Sequence, residues 1–198
     1  MKILIDNGHG MDTPGKRSPD EKLREYAWNR LIAGRIVAAL TDLGHDAQLL
    51  VPEQEDISLS ERCRRVNAIC QAFGTRNVIL ISIHANAAGR GDRWYEATGW
   101  CAYTTRGDTR ADALATSLYE AAKFHLPGQR LLTDYTDGDP DLEADFYILR
   151  HTLPPAVLVE NFFMDSRRDY KFLLSADGQQ AIVNLHVDGI CRYLSTAA

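Results

Sequence analysis

The 198-residue sequence has no apolar run long enough to cross a membrane. No stretch reaches the roughly 18 consecutive apolar residues of a membrane span, and residues 1–6 turn polar too early for the core of a signal peptide. We therefore expect a soluble protein with no membrane span. We expect it to be made in the cytoplasm and released by a route other than a signal peptide, or to have a leader that this sequence lacks.

The sequence also lacks an excess of positive charge and closely paired cysteines. Its formal net charge is −5, from 22 Lys and Arg against 27 Asp and Glu, which argues against a nucleic acid partner and against binding to anionic membrane surfaces. Because no two cysteines have C-x-x-C spacing, neither a zinc ribbon nor a redox motif is indicated. We expect small, buried apolar side chains at Cys63, Cys70, Cys101 and Cys191.

What the sequence does contain is apolar segments alternating with helical patterns, which predicts an α/β fold. Residues 78–86 form a long run rich in β-branched side chains, typical of a strand buried on both faces of a parallel sheet. Buried strands are also predicted at 2–6 and 156–160. The length suits a three-layer core, so we predict one domain over residues 1–198. The other predicted elements are strands at 46–51 and 98–104, an edge strand at 146–149, helices beginning near residues 21, 58, 111 and 177, and a loop at 127–143 over the cleft.

Polar side chains that can do chemistry follow the three buried strands. His9, His84 and Glu160 stand at the strand ends, and Glu25 lies in the first turns of the neighbouring helix. Ligands of open α/β sheets bind at the carboxyl ends of the strands, so these side chains are expected to share a cleft. Each also has an ordinary interpretation. A histidine can be a hydrogen-bonded core residue, and a glutamate near a helix N-terminus is stabilised by the helix dipole.

Two histidines and a carboxylate are a ligand set for catalytic zinc, in which the fourth position is left to water. Zinc lowers the pKa of that water toward about 7, and a free carboxylate nearby can take its proton. The sequence has neither the G-x-S-x-G motif of serine hydrolases nor a P-loop, so metal-assisted hydrolysis is favoured. Such a site also binds other divalent ions.

Several motifs, in order along the chain, resemble those of one family. Residues 6–10 resemble its D-x-G-H-G motif, and residues 25–31 resemble its glutamate-led first helix. Arg62, with Asn67 and Ala68, is similar to an arginine pattern of the family. Residues 81–86 contain S-I-H-A-N and residues 155–160 read P-A-V-L-V-E. The chain thus resembles the zinc-dependent N-acetylmuramoyl-L-alanine amidases of the type-3 group, which includes cell-separation amidases and phage lysins.

The resemblance implies a mixed, mostly parallel sheet of about six strands with helices on both faces. It also implies a peptidoglycan or muropeptide substrate, cut between the lactyl group of N-acetylmuramic acid and the L-alanine of the stem peptide. By position, His9, Glu25 and His84 would bind Zn²⁺ and Glu160 would act as general base and then as acid. Glu21 is the rival for the carboxylate ligand. Arg150 also matches a family position but has no assigned chemistry, and no substrate-binding residues are predicted.

The chain departs from the family pattern in two places. A phenylalanine in Glu160-Asn161-Phe162-Phe163 replaces a glycine of the family, which predicts an altered cleft wall. The segment 127–143 is short and polar where some members carry a blocking insertion, so we expect an open site with neither Glu143 nor Asp145 at the metal. Two alternatives stay open: a catalytically silent domain that binds muropeptides, and a zinc peptidase that cuts within the stem peptide.

Overall fold

The computed structural model describes residues 1–196; the last two residues of the predicted domain, 197 and 198, lie outside the described part. Six strands and six helices alternate along most of the chain. The strands are β1 (Lys2–Asn7), β2 (Asp46–Leu49), β3 (Val78–Asn86), β4 (Cys101–Thr104), β5 (Leu142–Glu143) and β6 (Ala156–Phe163). The helices are α1 (Glu25–Asp42), α2 (Leu59–Phe73), α3 (Arg110–His125), α4 (Tyr147–Arg150), α5 (Arg167–Leu174) and α6 (Ala176–Thr196).

All six strands form one sheet in the order β2-β1-β3-β6-β4-β5. Strands β2, β1, β3 and β6 run parallel, β4 runs antiparallel to β6, and β5 is parallel to β4. The carboxyl ends of β1, β3 and β6 are therefore adjacent at one edge of the sheet. The prediction of a mixed, mostly parallel sheet of about six strands is confirmed.

The sheet is covered on both faces, and β3 contributes to both cores. Ile79, Ile81 and Ile83 face the larger core, under α1, α3 and α6, whereas Val78 and Leu80 face the smaller core, under α2 and α4. Because side chains alternate across a strand, a strand buried on both faces has to be apolar at nearly every position. This explains the unbroken apolar run at 78–81, which resumes at Ile83 after Ser82. No helix in residues 1–196 is both long enough and apolar enough to cross a membrane.

The start of helix α1 differs from the prediction. The helix begins at Glu25 rather than near residue 21, because Ser18 and Leu23 close a turn in which each backbone N–H is bonded to the other residue. Although their apolar spacing predicts buried positions, Leu31 of α1 and Leu59 and Phe73 of α2 are exposed.

Two segments after β4 were also predicted incorrectly. Residues 147–150 form helix α4 rather than an edge strand, since β5 takes the edge position beside β4. The segment 127–143 does not lie over the cleft; it runs along β4, where Trp100 exchanges backbone hydrogen bonds with Arg130 and Leu132. Helix α5 was not predicted. Of the four free cysteines, Cys191 is half-buried rather than buried and lies 3.4 Å from the Nε2 of His45.

Candidate active site

The structure brings His9, Glu25 and His84 together at the carboxyl edge of the sheet. One ligand atom from each residue lies within 4.8 Å of the others. The Nε2 of His9 is 3.4 Å from Glu25 Oε2, and the Nδ1 of His84 is 3.1 Å from Glu25 Oε1. His9 follows β1 with a φ of 64°, so the backbone turns sharply at His9 itself. Three separate elements thus contribute one donor each.

The Glu25 carboxylate is held at one oxygen and free at the other. Its Oε1 accepts a hydrogen bond from the backbone N–H of Ala85 at 3.2 Å and faces the His84 ring, whereas the buried Oε2 accepts none from residues 1–196. Burial raises the pKa of Glu25, but the two histidines outweigh burial and hold the pKa well below its usual range. An ionised carboxylate oxygen buried beside two imidazoles matches the donor set of a metal site.

Glu160 lies on β6 directly opposite His84 on β3. Its Oε2 is buried and has no hydrogen-bond partner among the described residues. Burial raises the pKa of Glu160 to about 7; the charge of His84 opposes this shift, and the nearby Glu25 adds to it. A carboxyl group whose pKa lies near neutrality can both accept and donate a proton.

Two arginines fix the backbone of the His9 loop. Arg62, buried in α2, donates to Asp6 Oδ1 at 2.6 Å, to the Asn7 carbonyl at 3.0 Å and to the His9 carbonyl at 3.3 Å. Arg30 of α1 donates to the same His9 carbonyl at 2.8 Å. The sequence motif singled out Arg62 without a role, and Arg30 was missed, since its helical position carries no signal of this contact.

A cleft of about 320 Å³ opens beside these groups. Its wall is formed by β1, β3, β6, the start of α2 and the short helix α4, and Lys16 lies at its side. The segment 127–143 contributes no residue to this wall. The lining residues are Asp6, Gly8, His9, Lys16, Asp56, Ile57, Ser58, Leu59, Arg62, Ser82, His84, Phe146, Tyr147, Ile148, Leu158 and Glu160.

The rival and blocking residues lie away from the three donors. Glu21 is exposed and pairs with Arg17 and Arg24. Glu143 accepts a hydrogen bond from the Gly107 N–H, and Asp145 pairs with the exposed Arg150 at 3.8 Å. The cleft is open, in agreement with the expectation. The other histidines also make contacts outside the cleft: His45 with Cys191, His125 with Asp188, His151 with Tyr147 and His186 with Ile182.

The phenylalanines after Glu160 do not line the cleft, so the altered wall expected there is not found. Phe162 is fully buried in the larger core and packs edge-on against Phe172, with ring centroids 5.1 Å apart. Its φ of 63° lies in the left-handed region that favours glycine. The phenylalanine therefore gains packing at a backbone position that strains a large side chain.

An open α/β sheet that presents two histidines, a buried carboxylate and a second, unpartnered carboxylate at its carboxyl edge is typical of metal-dependent hydrolases. The chain belongs to the N-acetylmuramoyl-L-alanine amidase family, whose family model matches residues 3–192.

Similar proteins carry the same description. The N-acetylmuramoyl-L-alanine amidase CwlM of Bacillus licheniformis is 27% identical over 195 residues, which cover 97% of this chain and 68% of that protein. The sporulation-specific N-acetylmuramoyl-L-alanine amidase of Bacillus subtilis (strain 168) is 28% identical over 193 residues, covering 96% and 67%. The chain thus spans about two thirds of the length of both relatives. The crystal structure of the N-acetylmuramoyl-L-alanine amidase from Clostridium difficile 630 superposes with a TM-score of 0.81 at 25% identity, covering 98% of this chain and 97% of that one.

Proposed function

We propose that residues 1–198 form a single zinc-dependent amidase domain. It hydrolyses the amide bond between the lactyl group of N-acetylmuramic acid and the L-alanine of the peptidoglycan stem peptide. The observation that carries the zinc assignment is the buried Glu25 Oε2, which accepts no hydrogen bond from any described residue and lies 3.4 Å from His9 Nε2. Membership of the amidase family supports the choice of bond.

His9, Glu25 and His84 would hold the zinc ion. When bound, the ion supplies Lewis acidity, which lowers the pKa of water and polarises a carbonyl group. Contacts within the chain hold these proposed ligands in position. Glu25 is placed by the bond from its own N–H to the Lys16 carbonyl at 2.9 Å, and His84 by its place in the centre of the sheet.

Glu160 would move the proton. Its carboxylate takes a proton from the attacking water as the water oxygen bonds to the amide carbon. It then gives that proton to the leaving nitrogen as the C–N bond breaks, which yields a lactyl carboxylic acid, with the second proton of the water, and a free L-alanine amine. A pKa raised by burial to about 7 suits a group that changes between base and acid in one cycle.

The products of peptidoglycan digestion test this function. We expect zinc-loaded protein to release free stem peptides that begin with L-alanine, as identified by mass spectrometry. A chelator should abolish their release, and added zinc should restore it. Intact muropeptides bound without turnover would instead indicate the silent binding domain, and cuts inside the stem peptide would indicate a peptidase.

Gly8 offers a test of the zinc site that does not depend on turnover. A Cβ atom at this position would lie 2.1 Å from Cε1 of His84, so Gly8→Ala must displace that ring. We expect zinc affinity to fall at least about tenfold, the scale of misplaced metal ligands, as measured by competition with a chromogenic chelator. Gly34→Ala is the matched control, because a Cβ there meets nothing within 4 Å. Equal zinc affinity in both variants would contradict the assignment of His84.

A further inference from the structure

A second group of acidic side chains lies at the β4–β5 edge of the sheet, apart from the residues that line the active-site cleft. Asp112, Asp139 and Asp141 each place a carboxylate oxygen within 4.8 Å of the others. They come from the first turn of α3 and from the loop that leads into β5. None of the three forms an ion pair with a Lys, Arg or His side chain within residues 1–196, so the cluster has no protein counter-charge in that range.

The most buried member of the cluster has an unused oxygen. The Asp141 side chain is only 2% exposed, and its Oδ2 accepts a hydrogen bond from the Thr104 hydroxyl at 2.7 Å. Its Oδ1 is buried and has no hydrogen-bond partner in the part of the chain that the structure describes. A buried carboxylate oxygen with no donor is costly unless a ligand satisfies it. Burial, with the neighbouring Asp139 next in importance, raises the pKa of Asp141 to about 8.

The hydrogen bonds that Asp112 and Asp139 accept stabilise only part of the negative charge of the cluster. Asp112 accepts hydrogen bonds from the N–H and the hydroxyl of Thr109, which caps α3, and the helix dipole favours this one carboxylate. Asp139 Oδ1 faces the Asp141 N–H at 3.3 Å. Neither contact reaches the free oxygen of Asp141. Carboxylate oxygens are among the ligands that calcium prefers, and calcium tolerates irregular geometry.

We propose that Asp112, Asp139 and Asp141 form a structural binding site for a calcium-sized divalent cation. The bound cation would join the loop before β5 to the N-terminus of α3, next to Thr104 at the end of β4. It would therefore hold the edge of the sheet, which ends in the two-residue strand β5. This site is independent of the proposed amidase function, since it shares no residue with the active site.

The test is calcium binding to the zinc-loaded protein, measured by isothermal titration and by thermal unfolding. We expect one calcium ion per chain with a dissociation constant below about 1 mM, the upper end for extracellular calcium modules. At about 10 mM calcium the midpoint of unfolding should rise by at least about 3 °C. Sodium chloride of equal ionic strength should not reproduce this rise.

Two variants distinguish a specific calcium site from nonspecific binding of calcium to acidic side chains. Asp141→Asn keeps the size of the side chain and removes a buried charge, so it is expected to fold and to lose both the binding heat and the thermal shift. Asp137→Asn removes an exposed charge from the same loop and should keep both. The proposal is overturned if the unaltered protein shows no response to calcium, if Asp141→Asn responds fully, or if Asp137→Asn loses the response to the same extent.

Discussion

Glu160→Gln is expected to lower kcat/KM for stem-peptide release by at least about 10³-fold, because one group serves as both base and acid in the proposed reaction. Each proton-transfer role is commonly worth about 10²–10⁴. Glutamine has nearly the same shape, but it cannot take a proton from water at this site. The buried Oε2 of Glu160 has no partner to be lost, so the fold should be little affected. The measurement is liquid chromatography with mass spectrometry of the released peptides.

Zinc content decides how such a loss is interpreted. Inductively coupled plasma mass spectrometry should find the same zinc stoichiometry in Glu160→Gln as in the unaltered protein, because the proposed ligands are His9, Glu25 and His84. Glu120→Gln, on the exposed face of α3, is the matched control and should keep full activity. Unchanged turnover in Glu160→Gln would refute the general-base role. Loss of zinc along with activity would make Glu160 a group that positions the metal site.

The grouping of His9, His84 and Glu160 could be predicted because the apolar runs of three neighbouring parallel strands stop just before them. Parallel strands place the carboxyl sides of such runs at one edge of the sheet, although β3 and β6 continue beyond His84 and Glu160. Glu25 was harder to assign. Glu25 was preferred to Glu21 as the carboxylate ligand because of the family resemblance. The structure gives the local reason: Ser18 and Leu23 close a turn, so helix α1 begins at Glu25 and not at Glu21.

Features that depend on contacts between distant segments could not be predicted. The segment 146–149 has an apolar pattern too short to distinguish a strand from a helix. It is helical in the structure because β5 occupies the edge position beside β4. The direction of β4 and the place of the loop at 127–143 depend on pairing with β6 and Trp100. In the same way, no local pattern indicates that Arg30 reaches the His9 carbonyl or that Asp112 lies near Asp141.

Asp6→Asn is expected to lower the free energy of unfolding by about 3–5 kcal/mol, the usual cost of leaving one member of a buried ion pair without its partner. The Arg62 and Asp6 side chains are each 2% exposed, and their atoms are 2.6 Å apart. Ser82 donates a further hydrogen bond to Asp6 Oδ2. The variant would leave the buried Arg62 charge beside an uncharged amide, with the exposed Asp56, 3.2 Å away, as its remaining acidic partner. Urea unfolding measures the loss.

A second ion pair of strand β1 offers a control of opposite character. Lys2 on β1 pairs with Asp46 on β2 at 2.8 Å, but Asp46 is exposed, so Asp46→Asn should cost less than about 1 kcal/mol. Equal losses in the two variants would show that burial does not strengthen the Arg62 pair. Because Arg62 also donates to the His9 carbonyl, Asp6→Asn is expected to weaken zinc binding, and Asp46→Asn is not. The buried pair would then both stabilise the sheet and hold a proposed metal ligand in place.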